Sequence, residues 1–292
     1  MLRLENLSKR YANGVQALNG VTLDIPRGMF GLLGPNGAGK STLMRTIATL
    51  QDADSGSIRF GDINVLENKH EARQILGYLP QDPGVYPGTS AEVMLDHFAV
   101  LRGLTSRSER REAVERLLHL TNLYEVRKRK LGTYSGGMRR RFGIAQALLG
   151  EPELIIVDEP TAGLDPEERN RFHDLLCEIG ETAVVILSTH IVEDVRELCS
   201  RMAILAKGRV LQQGEPAVLI AGLDGQVWRK LIDRAEVAHY RERMDVLSTR
   251  LVGGRVVLHV RSAELPGAGF EPAAADLEHV YFAALNDRSN AA

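Results

Sequence analysis

The sequence predicts an α/β protein built on a parallel sheet, and three observations lead to that prediction. Residues 29–33 are a continuous apolar run that enters a Gly-rich loop, as a buried strand does. From Lys40 onward the apolar residues follow helical spacing. Between residues 153 and 206, strand-like segments alternate with helical segments, which is the β-α-β rhythm of a parallel sheet.

Composition and charge narrow the class of protein. The chain has 292 residues, of which 44% are hydrophobic and 25% charged, as in ordinary globular proteins. A net charge of −2 gives no reason to expect nucleic acid as a partner, and the basic clusters at 127–130 and 139–141 are interpreted as solvated helix faces. The longest apolar runs are far shorter than the ~20 residues of a membrane-spanning helix. A cytoplasmic chain is therefore expected.

The elements follow one another in a regular order. Alternating apolar residues predict short strands around residues 2–7 and 21–25, ahead of the buried strand and its helix. Residues 90 to 149 are predicted to be mostly helical, with Ser135 capping the last of these helices. After residue 206, Gly208 turns the chain into a last short strand at 209–213.

The character of the chain changes near residues 222–225. Two strand-like segments, 246–252 and 255–260, are joined by Gly253 and Gly254, a strong hairpin signal. A loop at 266–272 and a closing helix at 276–285 follow. We predict a main domain at residues 1–220 and a small C-terminal β/α accessory domain at residues 221–292.

The loop after the first buried strand fits the phosphate-binding pattern G-x-x-x-x-G-K-[ST]. Its backbone N–H groups lie at the positive end of the following helix, where they bind phosphate oxygens. Lys40 is expected to contact the outer phosphates, and the Ser41 hydroxyl to ligate Mg²⁺. The predicted nucleotide-binding residues here are Gly34, Pro35, Asn36, Gly37, Ala38, Gly39, Lys40, Ser41 and Thr42.

A second strand ends in two adjacent carboxylates after the apolar run 154–157. Because neighbouring residues of a strand point to opposite faces, different roles are expected for them. Asp158 is predicted to hold Mg²⁺ through water, and Glu159 to act as the general base that activates water.

A third segment, Ser135-Gly136-Gly137, opens a helix 95 residues after Lys40. Together and in this order, the three segments resemble the ATP-binding cassette of ABC transporters over roughly residues 1–220. The resemblance implies an ATPase of the P-loop NTPase fold. It also implies a RecA-like core, an antiparallel β subdomain and a helical subdomain at about 85–150.

The same resemblance assigns roles to three isolated residues. His190, 32 residues after Asp158, matches the histidine that hydrogen-bonds the γ-phosphate. Gln81 matches the Q-loop glutamine, which touches Mg²⁺ and the attacking water. Tyr11 matches the aromatic residue that stacks on adenine, although a partly buried structural tyrosine is the alternative. Nothing in this pattern distinguishes ATP from GTP.

The resemblance also implies a dimer. In this family the segment at 135–137 binds the γ-phosphate held by the opposing subunit, and Asp165 matches the D-loop that crosses the same interface. The partner is a second copy or a paralogous cassette. Tyr134 and Met138 depart from the common Leu-Ser-Gly-Gly-Gln signature at its first and last positions, as in cassettes that serve separately encoded exporters.

The expected function is ATP hydrolysis that energises a membrane permease, with export favoured. Residues 275–282 resemble the Leu-Glu-Asp-Val-Phe ending of drug-exporter cassettes, and the surface around Tyr86 to Phe98 is expected to contact the permease. The chain is expected to lie at the inner face of the plasma membrane. Two alternatives remain: signalling or mechanical work through a membrane partner without transport, or a soluble cassette ATPase that acts on nucleic acid or ribosomes.

Overall fold

The computed structural model describes residues 1–81, 84–160 and 165–290. These ranges contain fourteen strands and ten α-helices, and none of the helices is long and apolar enough to span a membrane. The strands are β1 (Leu2–Arg10), β2 (Gln16–Ile25), β3 (Gly28–Leu33), β4 (Ser55–Phe60), β5 (Ile63–Asn64), β6 (Leu76–Leu79), β7 (Leu154–Asp158), β8 (Val184–Thr189), β9 (Arg201–Ala206), β10 (Arg209–Gly214), β11 (Val227–Ile232), β12 (Asp245–Val252), β13 (Arg255–Arg261) and β14 (Glu271–Pro272). The helices are α1 (Lys40–Ile47), α2 (Lys69–Ile75), α3 (Ala91–Leu101), α4 (Arg107–Leu120), α5 (Gly136–Ala147), α6 (Pro166–Gly180), α7 (Val192–Leu198), α8 (Pro216–Ala221), α9 (Val237–Arg243) and α10 (Leu277–Asn290).

The central sheet has the strand order β10-β9-β3-β8-β7-β6. Its neighbours pair in parallel except β10, which is antiparallel to β9. Every residue of β7 and β8 is buried, because both faces of the sheet are covered; this explains their unbroken apolar runs. The predicted α/β class is confirmed. Since parallel strands end at one edge of the sheet, β3, β6, β7 and β8 all deliver the chain to the same place.

A second, antiparallel sheet has the order β2-β1-β4-β5. Alternate residues of β1, including Leu2 and Leu4, are fully buried and belong to one apolar cluster with Leu43, Met44 and Ile47 of α1. The same cluster includes residues of the central sheet. Helix α1 therefore packs against both sheets, which fixes the direction in which its N-terminus points.

Helices α3, α4 and α5 form a unit with its own apolar core, which includes Leu95 and Phe142. Each of the three helices begins at a serine, Ser90, Ser106 or Ser135, whose side chain accepts a hydrogen bond from a first-turn N–H group. Such caps satisfy N–H groups that have no acceptor within the helix. The predicted cap at Ser135 is confirmed.

The C-terminal residues form a third sheet, of order β12-β13-β11-β14. The predicted hairpin is confirmed, because β12 pairs with β13 around Gly253 and Gly254, whose φ angles of 56° and 84° suit a two-residue turn. The segment expected to be a loop at 266–272 contains β14, which pairs with β11. Pro272 is compatible with that position because β14 is an edge strand.

Helix α10 returns from the third sheet to the central one. Leu277, Val280 and Tyr281 are buried in one cluster with residues of β3, α6, α7 and β9. The boundary between residues 220 and 221 stays a prediction. The chain beyond that boundary nevertheless supplies part of the apolar core beneath the central sheet.

We expect Leu277→Ala to lower the free energy of unfolding by about 2–5 kcal/mol, because it leaves a cavity where α10 meets the core. Trp228, the single tryptophan, lies in β11 and reports on the C-terminal sheet by fluorescence, while far-UV circular dichroism reports mainly on the larger core. Both denaturation midpoints should fall together. Leu265→Ala, at a residue 58% exposed, is the control and should change little. A loss confined to the fluorescence signal would show that α10 does not stabilise the core.

Candidate active site

The phosphate loop joins β3 to α1, as its sequence predicted. Gly39 has φ of 106°, and a Cβ there would lie 2.4 Å from the carbonyl oxygen of Ala17. At Gly34 a Cβ would lie 2.3 Å from the carbonyl oxygen of Leu205. Glycine is therefore required at both positions by close backbone approach. The first N–H groups of α1 have no acceptor within the helix and form an anion site.

Lys40 is 6% exposed and folds back over the loop. Its Nζ donates to the carbonyl oxygens of Gly34 at 2.6 Å and Pro35 at 3.3 Å. Burial lowers the pKa of Lys40, while Glu159 and Asp158 act in the opposite direction. A buried ammonium group favours an anionic ligand, which fits the predicted contact with the outer phosphates.

Asp158 ends β7 and is 5% exposed. Burial raises the pKa of Asp158, and Glu159 adds to that effect, whereas Ser188, Lys40 and Ser41 lower it. Its Oδ1 atom is buried without a hydrogen-bond partner among the described residues. An unpartnered carboxylate oxygen beside a serine hydroxyl fits a magnesium site, because Mg²⁺ accepts few protein ligands together with phosphate oxygens. The described ranges hold no cluster of three or more His, Cys, Asp or Glu residues that could bind a metal ion.

Glu159 follows directly and points into a different environment. Its φ of 48° lies in the left-handed region, which costs a non-glycine residue ~1–3 kcal/mol. Its Oε2 accepts a hydrogen bond from Nε2 of Gln81 at 3.0 Å, and its Oε1 lies 3.1 Å from Nδ1 of His190. Gln81 and His190, which follow β6 and β8, therefore both contact the carboxylate of Glu159, which follows β7.

A cavity of about 510 Å³ connects these groups, within the size range of ligand pockets. Tyr11 lies at its wall, where its Oη is 3.1 Å from Oγ1 of Thr42 and donates to Gln51 at 3.2 Å. The described residues that line it are Tyr11, Val15, Gln16, Ala17, Pro35, Asn36, Gly37, Ala38, Gly39, Lys40, Ser41, Thr42, Gln81, Glu159 and His190.

Ser135, Gly136, Gly137 and Asp165 are not part of that lining. The Ser135 hydroxyl caps α5 by accepting from the N–H of Met138 at 3.1 Å, and Asp165 caps α6. Residues 161–164, which precede Asp165, lie outside the described residues. Within one chain the cavity and the α5 N-terminus are thus separate, as a site shared between two chains requires.

The two departures from the common signature have structural explanations. Tyr134 is 4% exposed, packs in the core of the helical unit and donates its hydroxyl to the carbonyl of Val126 at 3.0 Å. Met138 is half-buried against the same cluster. Both replacements therefore serve packing of the unit that carries α5.

One ion-pair cluster was missed by sequence reasoning. Asp194 of α7 is fully buried, and its Oδ1 accepts a hydrogen bond from Arg169 of α6 at 2.6 Å. Nε2 of His173 lies 3.3 Å from the same oxygen. The other oxygen of Asp194 lies 3.5 Å from Oγ1 of Thr189, next to His190. This cluster links α6 and α7 to the end of β8. An acidic residue four positions after His190 was the available signal, but no pattern in the sequence identified its partner.

The expectation that residues 139–141 form a solvated helix face is wrong for Arg140. Its guanidinium donates to the carbonyl oxygens of Gln81 at 2.7 Å, of Glu159 at 3.0 Å and of Pro160. Arg139 is exposed, so the expectation holds there. The sequence predicted that Arg140 lies in a helix. The spacing of residues in a helix does not show which other segments of the chain a side chain contacts.

The fold and this arrangement of residues define a nucleotide hydrolase of the phosphate-loop class. The model of the ABC transporter family matches residues 18–162. Linearmycin resistance ATP-binding protein LnrL of Bacillus subtilis is 38% identical over 77% of this chain and 72% of its own length. The chain therefore belongs to the ABC transporter family and is an ATPase.

The names of other relatives state different roles, drug resistance in one case and import in another. Daunorubicin/doxorubicin resistance ATP-binding protein DrrA of Streptomyces peucetius is 36% identical over 80% of this chain and 71% of its own. Methionine import ATP-binding protein MetN of Bordetella pertussis is 34% identical over 95% and 81%. A solved dimeric cassette bound to ADP and phosphate superposes with a TM-score of 0.67 and 27% identity, covering 74% of this chain and 98% of that one.

We expect Tyr11→Ala to weaken ATP binding by about 5–150-fold, because base–aromatic stacking is worth ~1–3 kcal/mol. Tyr11→Phe keeps the ring but loses the hydroxyl contacts with Thr42 and Gln51, so it should bind ATP nearly as well as the wild type. Equilibrium titration with a fluorescent ATP analogue measures both. Equal losses in the two variants would indicate a structural tyrosine in place of a stacking one.

Proposed function

We propose that Glu159 is the general base of ATP hydrolysis and that Gln81 and His190 hold its carboxylate in place. The observation that carries this proposal is the pair of contacts, at 3.0 and 3.1 Å, that this carboxylate makes beside the phosphate-loop cavity. Water attacks the γ-phosphorus, its proton passes to Glu159, and the bond between the γ-phosphorus and the bridging oxygen of ADP breaks. Lys40 and the N-terminus of α1 neutralise the charge of the phosphates.

We infer that Ser41 and Asp158 hold Mg²⁺ when nucleotide is bound, with Gln81 as a further ligand. The cation supplies charge neutralisation at the β- and γ-phosphates. In this structure the amide nitrogen of Gln81 is directed to Glu159, so its carbonyl oxygen is the atom suited to a cation.

We further propose that the active unit is a pair of cassettes, each ATP lying between the phosphate loop of one and the Ser135 segment of the other. The separation of the two sites within one chain supports this arrangement. Asp165, at the start of α6, would cross the same interface. ATP closes the pair and hydrolysis reopens it, and this movement drives the permease.

Export of a compound by a separate permease is the transport function that we favour. The names of the two resistance proteins and the altered signature support export. Because the methionine import protein is also similar to this chain, the direction of transport needs its own test. The chain would then lie in the cytoplasm, against the inner face of the plasma membrane.

The docking surface that we propose is a groove of about 560 Å³ between the core and the helical unit, which includes Phe98 but not Tyr86 of the surface expected from the sequence. Leu50 and Leu101 border it and are 61% and 70% exposed, and Phe98 and Tyr78 form part of its wall. Exposed apolar side chains around a concave surface are typical of an interaction site. A cytoplasmic helix of the permease is the proposed occupant.

Glu159→Gln should keep ATP binding and lower turnover by about 10²–10⁴-fold, because the base is lost while the side chain keeps its shape. The variant should accumulate as an ATP-bound dimer in size-exclusion chromatography. Glu178→Gln, at an exposed position of α6, is the matched control. Near-normal hydrolysis by Glu159→Gln would refute the assignment of the base.

Mixing Lys40→Ala chains with Ser135→Arg chains should restore part of the hydrolytic activity that each lacks alone. Each mixed dimer keeps one site with an intact phosphate loop and an intact opposing segment. The measurement is phosphate release from mixtures at constant total protein. An activity equal to the sum of the separate preparations would argue against a shared site.

Leu101→Arg should abolish copurification with the permease and leave ATP binding by the isolated chain unchanged, because it replaces an exposed apolar side chain of the groove by a charged one. Leu265→Arg makes the same change at another exposed leucine, outside the groove, and should copurify normally. Copurification of both variants would show that the permease binds elsewhere.

A further inference from the structure

Arg140 connects three segments that lie far apart in the sequence. It belongs to α5, in the helical unit, and lies one helical turn after Gly136, the first residue of that helix. Its Nη2 donates to the carbonyl oxygen of Gln81 at 2.7 Å, just beyond β6. Its Nη1 donates to the carbonyl oxygens of Glu159 at 3.0 Å and of Pro160, just beyond β7. One side chain thus joins the helical unit to two residues of the hydrolytic site.

The chemistry of this contact favours arginine. Three carbonyl groups, from the segments that follow two different strands, suit a planar group with several fixed donors. Lysine would place one point charge on a flexible stem and could not match the same directions.

The backbone of Glu159 needs external support. Its φ of 48° is a strained conformation, and such residues persist when surrounding contacts hold them there. On the strand side the Glu159 N–H donates to the carbonyl of Ser188 at 2.8 Å. Arg140 restrains the next peptide unit, between Glu159 and Pro160, through the Glu159 carbonyl. Between them these bonds set the direction in which the carboxylate leaves the backbone.

We propose that Arg140 is a positioning residue for ATP hydrolysis, which fixes Glu159 and Gln81 relative to the signature helix α5. This inference rests on the assignment of Glu159 as the base. It adds that the hydrolytic carboxylate is aligned from the helical unit, so that a movement of α5 relative to the central sheet changes the geometry of hydrolysis. Misplacement of a reacting group by ~1 Å costs about a hundredfold in rate.

The test compares four full-length variants in steady-state ATP hydrolysis with excess Mg²⁺ and in equilibrium ATP titrations. Arg140→Met should lower kcat by about tenfold to a hundredfold with little change in KM or ATP affinity, because alignment and not binding is lost. Arg140→Lys should be intermediate. Arg139→Met removes the same charge from an exposed neighbour and should hydrolyse ATP like the wild type. Thermal unfolding confirms that each variant is folded, and Arg140→Gln replaces the Met variant if that one is not.

The fourth variant combines Arg140→Met with Glu159→Gln in single-turnover measurements. If Arg140 acts through Glu159, the double variant should be little slower than Glu159→Gln alone, because misalignment no longer matters once the base is gone. If the losses in rate of the two single variants multiply in the double variant, the proposal is overturned. An unchanged kcat in Arg140→Met, an equal loss in Arg139→Met or full recovery in Arg140→Lys would each also overturn it. Failure of the base assignment is recognised separately, by near-normal turnover of Glu159→Gln.

Discussion

The parallel hydrogen bonding of β7 to its two neighbours is the constraint on which the site depends. Its register sets Val157 opposite both Leu79 of β6 and Leu187 of β8, so the three strands end within two residues of the same level. The residues that follow them, Gln81, Glu159 and His190, therefore meet although they are 31 to 109 residues apart in the chain. A slip of one residue would reverse the direction of every side chain on the slipped strand and separate the group.

The site also stores unfavourable energy. Lys40 and Asp158 are both buried ionisable groups, and each has its pKa moved by burial toward the neutral form. Glu159 adds a strained backbone. These costs are offset by the core on either side of the sheet, where apolar residues of α1 and the antiparallel sheet cover one face and α6 and α7 cover the other. The phosphates of a bound nucleotide, with the divalent cation proposed above, would supply the missing partners.

Local patterns were sufficient for much of this structure. The phosphate loop, the Ser135 cap and the Gly253-Gly254 turn depend on backbone conformations that a few neighbouring residues determine, so they were predicted from sequence. Arg140 was not, because its partners lie 19 and 59 residues away and no periodicity identifies them. The buried Asp194 cluster was missed for the same reason. Helix α10 was predicted as an element, but its place on the central core depends on tertiary packing.

The position of α10 has a consequence for how the chain is made. Residues near position 280 cover strand β3, which begins at residue 28, so the ribosome must complete almost the whole chain before this core can close. Until then the apolar residues that α10 covers are exposed on the nascent chain. Contacts of such long sequence separation also form slowly. Synthesis of this cassette therefore includes a late interval in which an apolar surface is open to aggregation, and chains that end before α10 keep that surface exposed.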